Sequence, residues 1–147
     1  LMIVRQLRSE EAEKLLLLYK HLNDEPSPEE MDVKRVWSQI QQNDTICYFG
    51  AFNADCLVSS CAIIVLPNLT RLCRPYGLIE NVVTHPHQRN KGYGRAVLQK
   101  AIDFAWERDC YKVMLMSGRL DEATMSFYRG AGFDQHAKQA FIMKKMG

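Results

Sequence analysis

No stretch of this sequence approaches the ~20 consecutive apolar residues that a bilayer span requires, so no membrane partner is expected. No signal peptide is read in the opening residues, where Leu1 before Met2 reads as a cloning remnant. No run of basic residues occurs, and 19 Lys and Arg against 17 Asp and Glu leave a net charge of only +2. Nucleic acid is therefore not implied as a partner, nor is an anionic membrane surface. The five cysteines, Cys47, Cys56, Cys61, Cys73 and Cys110, are odd in number and form no C-x-x-C pair. That spacing speaks against a disulfide framework and against a zinc site. Mostly buried, reduced thiols in a cytoplasmic protein are the expectation. Internal repeats and low-complexity segments are missing as well. What remains is ordinary globular usage, 47% hydrophobic and 24% charged, in 147 residues. That length suits one domain over residues 1–147, burying roughly 70% of its unfolded surface without staples.

The patterning predicts the elements in order. Met2–Arg8 alternates and reads as a strand. Ser9 reads as an N-cap, and Ala12, Leu15, Leu16, Tyr19 and Leu22 follow at helical spacing. Ser27, Pro28 and Glu30 mark a second helix start, with Val33, Val36, Trp37 and Ile40 as its buried stripe. Ile46–Phe52 and Leu57–Leu66 read as a hairpin turning at Asn53–Cys56. Pro67–Pro75 is a loop. Leu78–Thr84 is an apolar strand stopped by Pro86. Gly92 to about Arg108 is a helix with Val97, Leu98, Ala101, Ile102 and Ala105 inward. Lys112–Met116 is a short strand, Asp121 caps a helix to about Gly130, and Phe133–Lys145 is read as a final strand. A strand–helix–strand crossover near residues 78–116 predicts neighbouring parallel strands in a mixed sheet.

The segment Arg89-Asn90-Lys91-Gly92-Tyr93-Gly94-Arg95 follows a strand and opens a helix. The first turn of a helix has N–H groups without partners, and its dipole leaves partial positive charge there. A phosphate supplies both the acceptors and the countercharge. Gly92 and Gly94 let oxygens approach the backbone, and Arg89, Lys91 and Arg95 add cations. A solvated basic loop with turn glycines is the competing reading. The segment lacks the Gly-Lys-Ser/Thr of a Walker loop, and its glycines do not fit the dinucleotide fingerprint. His85 and His87 flank Pro86 as exposed loop residues without an evident third metal ligand. His21 and His136 stand alone, and Trp37, Trp106 and the methionines read as packing.

The residues Ile79–Pro86 followed by Gln88–Gly94 resemble the cofactor motif of the GNAT superfamily of N-acetyltransferases. Phe127-Tyr-Arg-Gly-Ala-Gly-Phe133 is similar to the family's second signature, a Phe-Tyr pair followed by Gly-Phe. The resemblance implies an α/β fold. Its sheet would be mixed and strongly twisted, with about six or seven strands, helices on both faces and splayed strands in the middle. It implies acetyl-CoA as acetyl donor with no metal. Val82, Val83 and Thr84 would bind it, the pantetheine pairing with backbone groups of Val82 and Thr84. Arg89, Asn90, Lys91, Gly92, Tyr93, Gly94 and Arg95 would cradle its pyrophosphate. Glu80 would serve as base, against a merely structural carboxylate, and Tyr128 as acid toward the sulfur, against aromatic packing. Asp121 departs from the asparagine common at this cap, which leaves its cofactor contact open.

Direct transfer to an amine is expected, since neither signature contains a cysteine. The acceptor would be shaped by Leu22–Met31 and Asp134–Phe141. A small-molecule amine is the default, ahead of a protein N-terminus or lysine. Residues 110–115, Cys-Tyr-Lys-Val-Met-Leu, resemble relatives that acetylate glucosamine 6-phosphate. A non-catalytic CoA-sensing module is the alternative from another class, and a homodimer is left open.

Overall fold

The computed structural model describes residues 2–147; Leu1, read above as a cloning remnant, lies outside the described residues. The chain forms two compact units, the first closing at Leu115 and the second running Met116–Gly147.

The first unit is built on a five-stranded sheet in the order β1-β2-β3-β4-β5. Its strands are β1 (Met2–Gln6), β2 (Ile46–Asn53), β3 (Cys56–Leu66), β4 (Tyr76–Thr84) and β5 (Val113–Leu115). The first four pair antiparallel and β4 pairs parallel with β5, so the predicted hairpin and the predicted parallel crossover are both present. The hairpin turns at Ala54, where φ is 53°. Helices α1 (Ala12–Tyr19), α2 (Glu30–Gln42) and α4 (Tyr93–Glu107) flank the sheet. Adjacent residues of β2 show which helices take which face. The Tyr48 ring meets Trp37 of α2 at 5.4 Å, and the Phe49 ring meets Phe104 of α4 at 5.7 Å. Successive strand side chains point to opposite faces, so α2 and α4 lie on opposite sides. Leu7, Leu15, Trp37 and Phe52 form one buried cluster, each side chain contributing about 1.5–3 kcal/mol of hydrophobic stabilisation. On the α4 side, Val97, Leu98, Ala101, Ile102 and Ala105 are all buried, as their spacing predicts.

The second unit contains α5 (Glu122–Gly130), capped as expected by Asp121, whose Oδ2 accepts from the Thr124 N–H at 3.1 Å. The predicted strand over Phe133–Lys145 is not formed. A strand needs a neighbour to take its backbone groups, and no element of the described chain pairs with this one. The sheet therefore has five strands instead of six or seven.

Three smaller expectations are also corrected. Helical structure begins as a 3-10 turn at Ser9–Glu11, and Arg8, not Ser9, holds the cap position. The Glu11 carboxylate accepts from the Arg8 N–H at 2.7 Å and from both Arg5 guanidinium nitrogens at 2.7 and 2.9 Å. These bonds, the Arg5 pair first, hold its pKa below the usual glutamate value. Helix α2 begins at Glu30 behind Glu29, not behind Ser27. Pro28 disfavours the helical region for the residue before it, and the extended approach continues through Glu29. Of the predicted α2 stripe only Trp37 is buried, and Val36 is exposed. Trp106, read as packing, is 51% exposed. Within the expected loop, the one-turn segment α3 (Thr70–Cys73) places Arg71, Leu72 and Cys73 at positive φ. Cys47, Cys61 and Cys110 are buried and Cys56 and Cys73 exposed, all as free thiols.

Candidate active site

The site starts from the backbone of β4. Gly77 donates to the Lys112 carbonyl at 2.9 Å. In a strand the N–H and C=O of one residue share a side and successive residues alternate. Gly77 and Ile79 therefore face β5, while Leu78 and Glu80 face β3. At Asn81 φ becomes 55°, and the β3–β4 register shifts between Ser60 and Ala62. This extra residue is a β-bulge, and it reverses the alternation. His85 donates to the Val58 carbonyl at 2.8 Å, so Val83 and His85 face β3. Val82 and Thr84 then face the opposite side. There β5 has ended, its last pair being Leu115 with Ile79. Val82 and Thr84 thus present backbone donors and acceptors to an edge that no strand of the sheet covers.

Asparagine suits this position. Left-handed backbone costs a non-glycine residue roughly 1–2 kcal/mol, and asparagine tolerates it better than most. Its side chain lies between two phenols. The Tyr19 hydroxyl is shut off from solvent and makes no hydrogen bond of normal geometry, although the Asn81 amide lies beside it. Burial drives the Tyr19 pKa upward and does the same for Tyr48, against a smaller downward pull from Asn81. The charge of Glu80 adds to the rise at Tyr48. Glu80 itself is exposed on β4, one residue before the bulge.

Beyond β4 the chain makes a 3-10 turn at Pro86–Gln88, where the His85 side chain accepts from the His87 N–H. Asn90 and Gly92 take positive φ, 61° and 88°. Gly92 holds the N-cap of α4, and no side chain caps that helix. The Ala96 N–H returns to the Gly92 carbonyl at 3.0 Å. The N–H groups of Tyr93, Gly94 and Arg95 precede that first bond and have no intrahelical acceptor. Tyr93 and Gly94 are buried, whereas Arg89, Asn90, Lys91 and Arg95 are exposed. Lys91 reaches Gln88 Oε1 at 3.3 Å, and Arg89 and Arg95 form no ion pair among the described residues. The result is a helix start with free N–H donors and cationic side chains nearby.

Sequence reading missed two features beside this edge. The histidines are not isolated: the His21 ring lies 4.5 Å from His85, and His85 lies 5.4 Å from His87. Desolvation first, then the other two rings, push the His85 pKa down. Asn81 was also missed, although an asparagine inside the apolar run Leu78–Thr84 is a legible bulge signal. In the second unit, Tyr128 lies on α5 with its ring 5.2 Å from Phe127 and 6.3 Å, edge-on, from Phe133.

A five-stranded mixed sheet with a bulged fourth strand thus feeds an uncapped, glycine-started helix. Residues 8–133 match the model of the Acetyltransferase (GNAT) family, and the chain belongs to that family. Glucosamine 6-phosphate N-acetyltransferase of Trypanosoma brucei brucei is 35% identical over 83 residues, which are 56% of this chain and 54% of that protein. The chain thus matches only about half the length of this curated relative. A solved structure from Agrobacterium tumefaciens str. C58, thought to be an acetyltransferase, is 36% identical with a TM-score of 0.92. The match covers 97% of this chain and 99% of that one. Glucosamine-6-phosphate N-acetyltransferase from Arabidopsis thaliana shares the fold, with a TM-score of 0.85 at 21% identity over 99% and 98% of the two chains.

Proposed function

We propose that this chain is one N-acetyltransferase domain that moves the acetyl group of acetyl-CoA directly onto the amine of a small molecule. One observation carries the reading: Val82 and Thr84 face an uncovered strand edge, and the same strand leads into an uncapped helix start. Pantetheine carries amides that match the open edge, and pyrophosphate matches the helix start. In this reading Val82, Val83 and Thr84 hold the pantetheine arm. Gly92, Tyr93, Gly94 and Arg95 offer N–H groups to the phosphates, with Arg89, Asn90 and Lys91 around them. Bound acetyl-CoA supplies a thioester, an acyl donor with a thiol leaving group. Metal plays no part, since N–H groups and cations do the binding.

The protein's own residues then manage protons. An amine arrives protonated at neutral pH and must lose a proton before it attacks, and the departing sulfur gains from receiving one. Glu80, exposed on β4 just before the bulge, takes the first proton, directly or through water. Tyr128 gives the second. A main-chain N–H beside the edge receives the charge that develops on the thioester oxygen. Glucosamine 6-phosphate is the first acceptor to try, because the curated relative is named for it. A cytoplasmic setting belongs to the same reading, which leaves a homodimer open.

A screen of small amines for thiol release from acetyl-CoA tests this function. A sugar-phosphate amine is expected to release CoA stoichiometrically with acetylated product. Acetylation of proteins alone would replace the small-molecule reading. With the accepted amine, Glu80→Gln should slow turnover most at low pH, where free amine is scarce, and the gap should narrow as pH rises. Equal loss at every pH would show that Glu80 positions and does not move a proton.

A further inference from the structure

Two serines in the middle of the sheet, Ser59 and Ser60, have no solvent exposure at all. A buried hydroxyl is costly unless it is bonded, so each must be used. Ser60 donates to the Phe49 carbonyl of β2 at 2.8 Å, within the sheet interior. Ser59 turns to the end of β4 instead. Its Oγ lies 3.0 Å from the Val83 carbonyl oxygen and 2.8 Å from Thr84 Oγ1. A serine has one hydroxyl hydrogen, and a carbonyl can only accept. The hydrogens are therefore ordered: Thr84 donates to Ser59, and Ser59 donates to Val83. Each bond polarises the next in the same direction.

We propose that Ser59 is a positioning residue for the acetyl donor, a latch that aims the Thr84 N–H at the uncovered edge of β4. The reason is the planarity of the peptide bond. In a trans peptide the C=O of one residue and the N–H of the next point in opposite directions. Holding the Val83 carbonyl toward β3 sends the Thr84 N–H the other way. The latch sits where it is needed. Before the bulge β4 is held on both sides, by β3 and β5. After the bulge its only partner strand is β3, through the pairs Val83 with Ser60 and Thr84 with Ser59 and the His85 bond to Val58. Ser59 adds side-chain bonds at Val83 and Thr84, the two residues that share the peptide whose N–H the donor would read. An alanine would fill the strand position equally well but leave the peptide held by the β3 pairing alone.

This inference rests on the proposed binding of pantetheine along β4, and its test separates the two. Acetyl-CoA and ADP, which carries a pyrophosphate but no pantetheine, are titrated by calorimetry into the wild type, Ser59→Ala and Thr84→Val. The wild type should bind acetyl-CoA. Ser59→Ala should weaken acetyl-CoA by about tenfold, the effect of one net hydrogen bond, and leave ADP unchanged. Thr84→Val keeps the β-branched shape and should lose less. The double variant should be no weaker than Ser59→Ala alone, because both changes break one chain of bonds. Undiminished acetyl-CoA affinity in Ser59→Ala would overturn the latch while leaving the donor site intact. So would an equal loss of ADP, which marks general loosening of the sheet. Should Ser59→Ala not fold, Thr84→Val decides, and full acetyl-CoA affinity in it would overturn the latch. A wild type that ignores acetyl-CoA would remove the donor site and the latch together.

Discussion

Gly94→Glu should abolish acetyl-CoA binding while leaving the fold intact. Gly94 is buried in the first turn of α4, behind a Gly92 cap at φ 88° that supplies no side-chain acceptor. The partnerless N–H groups of that turn are the proposed phosphate site. A glutamate there brings bulk and a negative charge to the place the pyrophosphate would occupy. The same carboxylate suits a helix N-terminus and can itself satisfy the free donors. That gain offsets part of the cost of placing a carboxylate at a buried position, so a modest fall in melting temperature is expected. Its affinity for acetyl-CoA should fall by about 100-fold or more, roughly 3 kcal/mol. Pairing calorimetry with a melting curve separates lost binding from lost folding. Unchanged affinity in a folded variant would place the pyrophosphate elsewhere.

The second large effect is expected at Tyr128. It lies on α5, a helix fixed at its start by the Asp121 cap. Phe127 and Phe133 pack around its ring. A phenol stays neutral at pH 7 and can donate. Tyr128→Phe removes only the hydroxyl and keeps the ring, so acetyl-CoA affinity should change little. Turnover should fall by about 10²-fold, within the usual range for general acid–base assistance. A donor with a more acidic thiol needs less help and should partly restore the rate. Normal turnover in the variant, with chemistry rate-limiting, would make Tyr128 a packing residue only.

Much of this framework was legible because it is local. The hairpin turn, the Asp121 cap and the inward face of α4 each follow from a few neighbouring residues. The start of α4 was legible for the same reason: its glycines and cations are contiguous. What escaped notice depends on partners distant in sequence. The capping role of Glu11 depends on Arg5 as well as Arg8. Ser59 gains its meaning only when register sets it against Thr84. His21 and His85 are 64 positions apart in the chain yet in ring contact. The final strand failed in the opposite way. Phe141, Ile142 and Met143 have strand-like apolarity but are exposed, because no strand among the described residues pairs with them. The orientation of Val82 and Thr84 toward the uncovered edge was not legible in this way. Its physical cause, the reversal of alternation at Asn81, emerged only from the hydrogen bonds on either side of the bulge.

The most direct test of the central claim is titration of acetyl-CoA into the wild-type protein in the presence of a metal chelator. The helix start and the open strand edge need no cation from solution. Saturable, one-to-one binding is expected, and tighter than that of ADP, because pantetheine adds the contacts along β4. An absence of heat at near-millimolar acetyl-CoA, or binding that the chelator removes, would contradict the account.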